Sequence, residues 1–218
     1  MIDDDKRAAA LAAVEEVRSG MLVGLGTGST AAFAIERLGA LVRDGLDIRA
    51  VATSLRTEEA ARAAGVPLID FAGVDSVDLT IDGADEIDGR LFAIKGAGGA
   101  MLREKIVAAA SRRMIVIADA SKRVERIGRA KLPVEILPFA RAFVATRLAD
   151  LGAETAVRAD RSDQGNIIID CFFAEMPDPC ALAMRLSAIP GVLGHGLFLD
   201  EVDCAYIGGG GRVIRLDR

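Results

Sequence analysis

Asp82-Gly83-Ala84-Asp85-Glu86 is followed by a short apolar run, then by Lys95-Gly96-Ala97-Gly98-Gly99 and Arg103-Glu104-Lys105. A carboxylate cluster, a strand-end lysine, a glycine-rich turn and a helical glutamate thus lie close together. Such a set can hold a phosphorylated substrate and move a proton on it. Asp82 and Asp85 follow the C-terminal end of a predicted strand, where open α/β sheets bind ligands. A lysine beside a nest of backbone N–H groups suits a phosphate or a developing oxyanion. Blander readings stay open: an acidic turn capping the next element, and a solvated lysine. Asp82-x-x-Asp85 lacks calcium-loop spacing, and the scarcity of histidine argues against a transition metal, leaving magnesium on carboxylates.

Gly24-Leu25-Gly26-Thr27-Gly28-Ser29-Thr30 joins an apolar strand to a helix. Glycines let backbone approach an anion closely, and the N–H groups at a helix start favour phosphate. Thr27, Ser29 and Thr30 add hydroxyls. A dinucleotide site would need Gly-x-Gly-x-x-Gly and an acidic end to the second strand. Here the spacing differs and that strand runs into Thr53-Ser54. The Gly-Lys-Ser/Thr of a Walker loop is also missing. A tight connection without a ligand is the alternative.

Glu104 is the least legible candidate. On the helix from Ala100 the predicted core stripe is Leu102, Ile106 and Ala109, and Glu104 falls nearly opposite. Periodicity alone therefore predicts a solvated glutamate. Ser121-Lys122 follows another strand end, which puts Lys122 within reach of the same crevice, and Thr53 to Thr57 could supply donors. His195 is the only histidine and tryptophan is absent, so a Ser-His-Asp triad is not expected, and His195 reads as structural or exposed. Gly208–Gly211 leads into a strand and reads as a turn.

These residues need a scaffold. Apolar runs predict strands at 21–25, 48–52, 77–81, 91–94 and 114–118, alternating with helices at 4–18, 30–43, 57–64 and 100–112. Met114–Ala118 is wholly apolar, like strands buried in parallel sheets. From Pro133 the order becomes strand 134–137, helix 139–151, strands 154–158 and 166–173, helix 179–189 and strand 192–199, a β-α-β-β-α-β series. Residues 202–207 and 213–216 read as a closing hairpin. The predicted fold class is α/β. A Rossmann-like, mostly parallel sheet domain covers 1–128 and 203–218, with an inserted ferredoxin-like α+β domain over 129–202.

The chain has 218 residues, 51% of them hydrophobic and 27% charged, a globular balance. No apolar run approaches the roughly 20 residues of a membrane helix. The opening Met1-Ile2-Asp3-Asp4-Asp5-Lys6 is acidic and lacks a signal peptide's apolar core, so the expected compartment is cytoplasmic. Net charge is −5 and no basic stretch stands out, which argues against a nucleic-acid partner. Cys171, Cys180 and Cys204 show no Cys-x-x-Cys spacing and read as reduced, buried thiols.

Together the motifs closely resemble the ribose-5-phosphate isomerase type A family. The resemblance rests on the two glycine loops, on Asp82 to Ile87, on Arg103-Glu104-Lys105 and on Ala118-Asp119-Ala120-Ser121-Lys122. Leu132-Pro133-Val134-Glu135 and Ile189 to Phe198 extend it through the second domain. It implies a metal-free, cofactor-free aldose–ketose isomerase that interconverts D-ribose 5-phosphate and D-ribulose 5-phosphate in the pentose phosphate pathway. It further implies Glu104 as the proton acceptor, against the helical-wheel reading. Substrate contacts are implied at Thr27, Gly28, Ser29, Thr30, Asp82, Gly83, Ala84, Asp85, Lys95, Gly96, Ala97, Gly98 and Lys122. Asp82 is assigned to ring opening and Lys95 to balancing the enediolate charge. The role of Arg56 stays open. The expected partners are a sugar phosphate and further copies of the chain, as a homodimer or homotetramer, with no nucleic acid or membrane. The alternatives are a CoA transferase, which uses a glutamate nucleophile, another sugar-phosphate enzyme of similar fold, or a sugar-phosphate-sensing domain.

Overall fold

The computed structural model describes residues 2–218. Met1, which the sequence reading placed in the acidic first stretch and in the first domain, lies outside the described residues. The first part of the chain runs α1 (Ile2–Val14), β1 (Leu22–Leu25), α2 (Ser29–Arg43), β2 (Arg49–Ala52), α3 (Leu55–Ala64), β3 (Leu79–Gly83), β4 (Glu86–Ile87), β5 (Ala93–Ile94), α4 (Met101–Ala109) and β6 (Met114–Asp119). It continues with β7 (Leu132–Ile136), α5 (Arg141–Asp150), β8 (Glu154–Val157), β9 (Ile167–Phe172), α6 (Pro179–Ser187), β10 (Val192–His195), β11 (Leu197–Phe198), β12 (Cys204–Gly209) and β13 (Arg212–Asp217).

The central sheet has the order β13-β12-β6-β3-β1-β2. All its pairings are parallel except the β12–β13 hairpin. The predicted closing hairpin therefore returns to the first sheet, beside β6. Alternation along β6 serves both faces. Ile115 and Ile117 meet Ala9, Ala13 and Leu38 of α1 and α2, whereas Met114, Val116 and Ala118 meet Ala108 of α4 and Phe198 of β11. Helices thus cover both faces, as parallel sheets require.

The second sheet, β10-β7-β9-β8, is antiparallel throughout. In its own chain order this is 4-1-3-2, with the two crossover helices α5 and α6 supplying Val144, Leu148, Leu182 and Leu186 to its core. Its other face approaches the first sheet's helices: a Cβ added to Gly194 would lie 3.0 Å from Leu102 of α4.

Three expectations need correction. The last strand, predicted continuous over 192–199, changes sheets at Gly196. β10 pairs with β7, while β11 pairs with β5 in a third sheet, β11-β5-β4. The Gly196 amide donates to Pro133 (2.8 Å) and its carbonyl accepts from Lys95 N–H (2.9 Å); a Cβ there would strike the Lys95 carbonyl. The strand predicted at 91–94 begins only at Ala93, because Leu91 has φ 63° in a turn whose Arg90 and Phe92 amides donate to the Asp88 carboxylate. Of the three cysteines, Cys171 and Cys204 are buried but Cys180 is exposed, on the side of α6 away from Leu182 and Leu186.

Candidate active site

The parallel strands β1, β3 and β6 end on one side of the central sheet, and the loops leaving them line a cavity of about 420 Å³. On its wall lie Thr27, Gly28, Ser29 and Thr30 from the first glycine loop, Gly83, Ala84 and Asp85 after β3, Lys95, Gly96, Ala97 and Gly98 after β5, Glu104 of α4, and Lys122 after β6. Except for Asp82, every residue to which the family resemblance implied a catalytic or substrate-binding role reaches this one space, whereas Thr53 and Thr57, offered as donors, do not. Asp82 is fully buried behind the wall, against Lys95 and the first loop.

Asp82, Lys95 and Glu104 are 0%, 2% and 4% exposed. The Lys95 Nζ lies 3.0 Å from Asp82 Oδ2 and 3.6 Å from Glu104 Oε1 and donates to the Gly83 carbonyl. Asp82 Oδ1 accepts from the amides of Thr27 (3.0 Å) and Gly83 (2.7 Å). Gly26 makes this possible, since a Cβ there would overlap the Asp82 side chain. Glu104 Oε2 is buried with no hydrogen-bond partner, a costly arrangement for a carboxylate unless a ligand or a proton meets it.

Two carboxylates share one ammonium, so ionising both would leave a surplus negative charge out of water. Burial, reinforced by the Asp82 charge and opposed by Lys95, pushes the Glu104 carboxyl up to about 8. Burial also raises Asp82, against the pull of Lys95 and the two amides. Burial works against the Lys95 charge, yet Asp82 and Glu104 outweigh it and raise that pKa. Lys95 thus stays an ammonium while Glu104 can exchange a proton near neutrality.

The helical-wheel reading of Glu104 is overturned. The buried side of α4 is Met101, Glu104, Val107 and Ala108, whereas Ile106, assigned to the core stripe, is 46% exposed. Apolar residues occur on both sides of this short helix, so its pattern fits two phases. Packing of α4 between the central sheet and the second sheet selects the phase that turns Glu104 inward.

At the other end of the cavity, α2 starts at Gly28, whose φ of 117° lies in the region glycine favours and whose helix start has no side-chain cap. Ser29 and Thr30 open the helix, whose first N–H groups have no intrahelical acceptor. Thr27 differs from expectation: its hydroxyl is engaged with Thr53 (2.9 Å), Ser54 (2.8 Å) and Thr57 (3.0 Å), bracing the loop. The second glycine turn is also partly committed. The amides of Lys95, Ala97 and Gly99 donate to Gly196, Asp85 and Gly96, which narrows the predicted nest.

Several participants were given no role by the sequence, Asp119 being quoted there only as part of a motif. Lys6 of α1, Asp119 at the end of β6 and Asp163 from the second sheet's 161–165 turn line the cavity. Arg158 donates to the carbonyls of Gly96 (3.1 Å) and Ala97 (3.2 Å) while held by Asp170, fixing the turn from just beyond β8 of the second sheet. No local pattern marks Lys6, Asp163 or Arg158, because only the tertiary fold brings them near. Ser54, Arg56 and Ser121, named as weaker candidates, do reach the wall. His195 is buried, with Ser187 3.2 Å from Nε2 and the Leu197 amide 3.3 Å from Nδ1, and burial, with Lys105 nearby, depresses its pKa to about 4. Arg123, Arg126 and Arg129 join Arg90, with Glu125, around a groove that shares Ser121 with the cavity, a clustering that the fold creates by bringing Arg90 beside residues 123–129. Among the described residues, no group of three or more His, Cys, Asp or Glu side chains is placed to hold a metal ion.

The family model for ribose 5-phosphate isomerase A (phosphoriboisomerase A) matches residues 49–211. A ribose-5-phosphate isomerase A from Sphingopyxis alaskensis is 54% identical over 96% of this chain and 94% of its own length. Another, from Roseiflexus castenholzii, is 49% identical over 97% and 94%. Among solved structures, a D-ribose-5-phosphate isomerase in complex with phospho-erythronic acid superposes with TM-score 0.96 at 34% identity, over 100% of both chains. Ribose 5 phosphate isomerase A from Neisseria gonorrhoeae gives 0.95 at 37% identity, over 100% of this chain and 97% of that one. The transferase alternative finds no support in these relatives.

Proposed function

We propose, on the premise that this chain belongs to the ribose 5-phosphate isomerase A family and interconverts ribose 5-phosphate and ribulose 5-phosphate, that Glu104 is the base that carries the proton between C2 and C1. The observation behind this reading is the unpartnered, buried Glu104 oxygen beside a paired ammonium. In the open-chain aldose, the Glu104 carboxylate takes the C2 proton. The C–H electrons become the C1=C2 double bond and the carbonyl electrons move to O1, giving an enediolate. The O2 proton passes to O1, and Glu104 returns its proton to C1 as the C2 carbonyl forms. Lys95 offsets the oxyanion charge throughout, an effect worth more in a dry site than in water.

The phosphate belongs at the uncapped start of α2, with Ser29 and Thr30 donating and Lys122 and Lys6 supplying charge. Backbone at Gly83, Ala84 and Gly96 to Gly98 and the Asp85 carboxylate are left for the sugar hydroxyls. Asp82, which touches Lys95, is assigned to ring opening, whereas Asp85 is the carboxylate on the wall itself. Ribulose 5-phosphate is acyclic, so the residue that opens the ring should matter more in one direction. Asp82→Asn is expected to slow ribose 5-phosphate more than ribulose 5-phosphate in initial rates; that asymmetry in Asp85→Asn instead would move the role to Asp85.

The main test is steady-state kinetics of Glu104→Gln in both directions. Losing a general base lowers kcat by about 10²–10⁴-fold with little change in KM, whereas near-normal turnover would reject the assignment. Turnover is expected to persist in EDTA. We also place the domain boundaries at 128/129 and 202/203 and the protein in the cytoplasm, as a homodimer or homotetramer. Exposed Phe139, Phe143 and Met184 on the second domain favour self-association there, and light scattering of the purified chain reads the mass directly.

A further inference from the structure

One aromatic ring is common to two lysine ammonium groups beside the active site. Phe198 of β11 is fully buried; Lys95 Nζ lies over its ring at 5.4 Å from the centroid and Lys105 Nζ at 3.9 Å. Both distances are within the range of cation–π attraction, which strengthens when the pair is desolvated. The ring is itself held firmly. Phe198 pairs with Ala93 across the third sheet and packs with Ile87, Leu91 and Ala108. Lys105 donates to the Leu197 carbonyl (2.5 Å) and to Glu201 Oε1 (2.6 Å), tying α4 to the strand that carries the ring. Lys105 is the sequence neighbour of Glu104, so this tie also helps set the phase of α4.

We propose that Phe198 is a positioning residue for the isomerisation, its ring face holding the Lys95 ammonium where it serves Asp82 and Glu104 together. This rests on the reading of Lys95 as the charge partner of the enediolate and names a residue that reading does not use. The ammonium has closer company in Asp82, at 3.0 Å, than in Glu104, at 3.6 Å. An attraction from the ring side keeps it from collapsing wholly onto Asp82. Weakening that attraction leaves substrate binding intact, because Phe198 is not on the cavity wall, but mispositions the charge needed when the enediolate forms.

The test replaces Phe198 site-specifically with mono-, di- and trifluorophenylalanine, which drain the ring's negative face with little change of size. The expected result is a stepwise fall in kcat, reaching about 5–30-fold for the trifluoro ring, with KM within about twofold and Tm nearly constant. The slope persists in a Lys105→Met background, because Lys95 carries it. A kcat that does not vary with fluorination, or a slope that vanishes with Lys105, overturns the proposal. Glu104→Gln run beside the series separates the two ideas. A flat series with an inactive Glu104→Gln sinks the role of Phe198 alone, while an active Glu104→Gln removes the reading beneath it and this inference as well.

Discussion

Glu104 shows how a single residue can be legible in kind and not in place. Its sequence neighbourhood marks it through a family resemblance, but its helical phase could not be decided from a nine-residue α4 with Leu102 and Ile106 on one side and Met101 and Val107 on the other. Burial then has a thermodynamic consequence. A carboxyl whose pKa rises from 4.5 to about 8 on folding holds its proton more tightly in the native state. Its effect is neutral below the unfolded value, and stability is lost as pH climbs from about 4.5 towards 8. Glu104→Gln removes that penalty. Its Tm relative to the parent protein is expected to increase from pH 4.5 to pH 8.5, as read by calorimetry; a difference independent of pH would mean that Glu104 ionises as it does in water.

Among the elements, the parallel strands and their helices are readable because short apolar runs alternate with amphipathic stretches that glycine closes. The β-α-β-β-α-β order around the second sheet is readable from the alternation of its apolar and amphipathic stretches, although β8 is short and largely exposed. The third sheet is not, since β4, β5 and β11 are two residues each and β11 joins the β4–β5 pair only because the chain switches partners at Gly196. The site depends on such close approaches of backbone. Gly26 touches Asp82 where a methyl group has no room, and Asp82 in turn holds Lys95. Gly26→Ala is therefore expected to destabilise the fold by about 1–3 kcal/mol, the usual cost of overpacking, and to lower kcat more than the stability loss explains. Thermal unfolding and kinetics at a temperature where the variant is folded check both parts; wild-type kcat in a folded Gly26→Ala protein would mean that the loop does not set the Asp82–Lys95 pair.

For the whole molecule, a net charge of −5 hides a basic groove beside a cavity of balanced charge. Lys6, Arg56, Lys95 and Lys122 face Asp85, Glu104, Asp119 and Asp163 around the cavity, and the groove that adjoins it through Ser121 sets Arg90, Arg123, Arg126 and Arg129 against Glu125 alone. A doubly charged sugar phosphate is thus drawn to one end of an otherwise acidic protein. kcat/KM is expected to fall several-fold between about 20 mM and 500 mM salt as the field is screened, with kcat nearly unchanged; equal sensitivity of both constants would contradict it. Composition fixes only the total charge, whereas the field depends on which loops meet, and those contacts are non-local. The account's central claim, that one buried carboxyl both titrates near neutrality and moves the proton, is tested most directly by ¹³C NMR of carboxyl-labelled glutamate followed against pH. The resonance that disappears in Glu104→Gln should titrate near 8 and match the acid limb of kcat/KM. A Glu104 resonance titrating near 4.5, or an acid limb that survives in Glu104→Gln, would contradict the account.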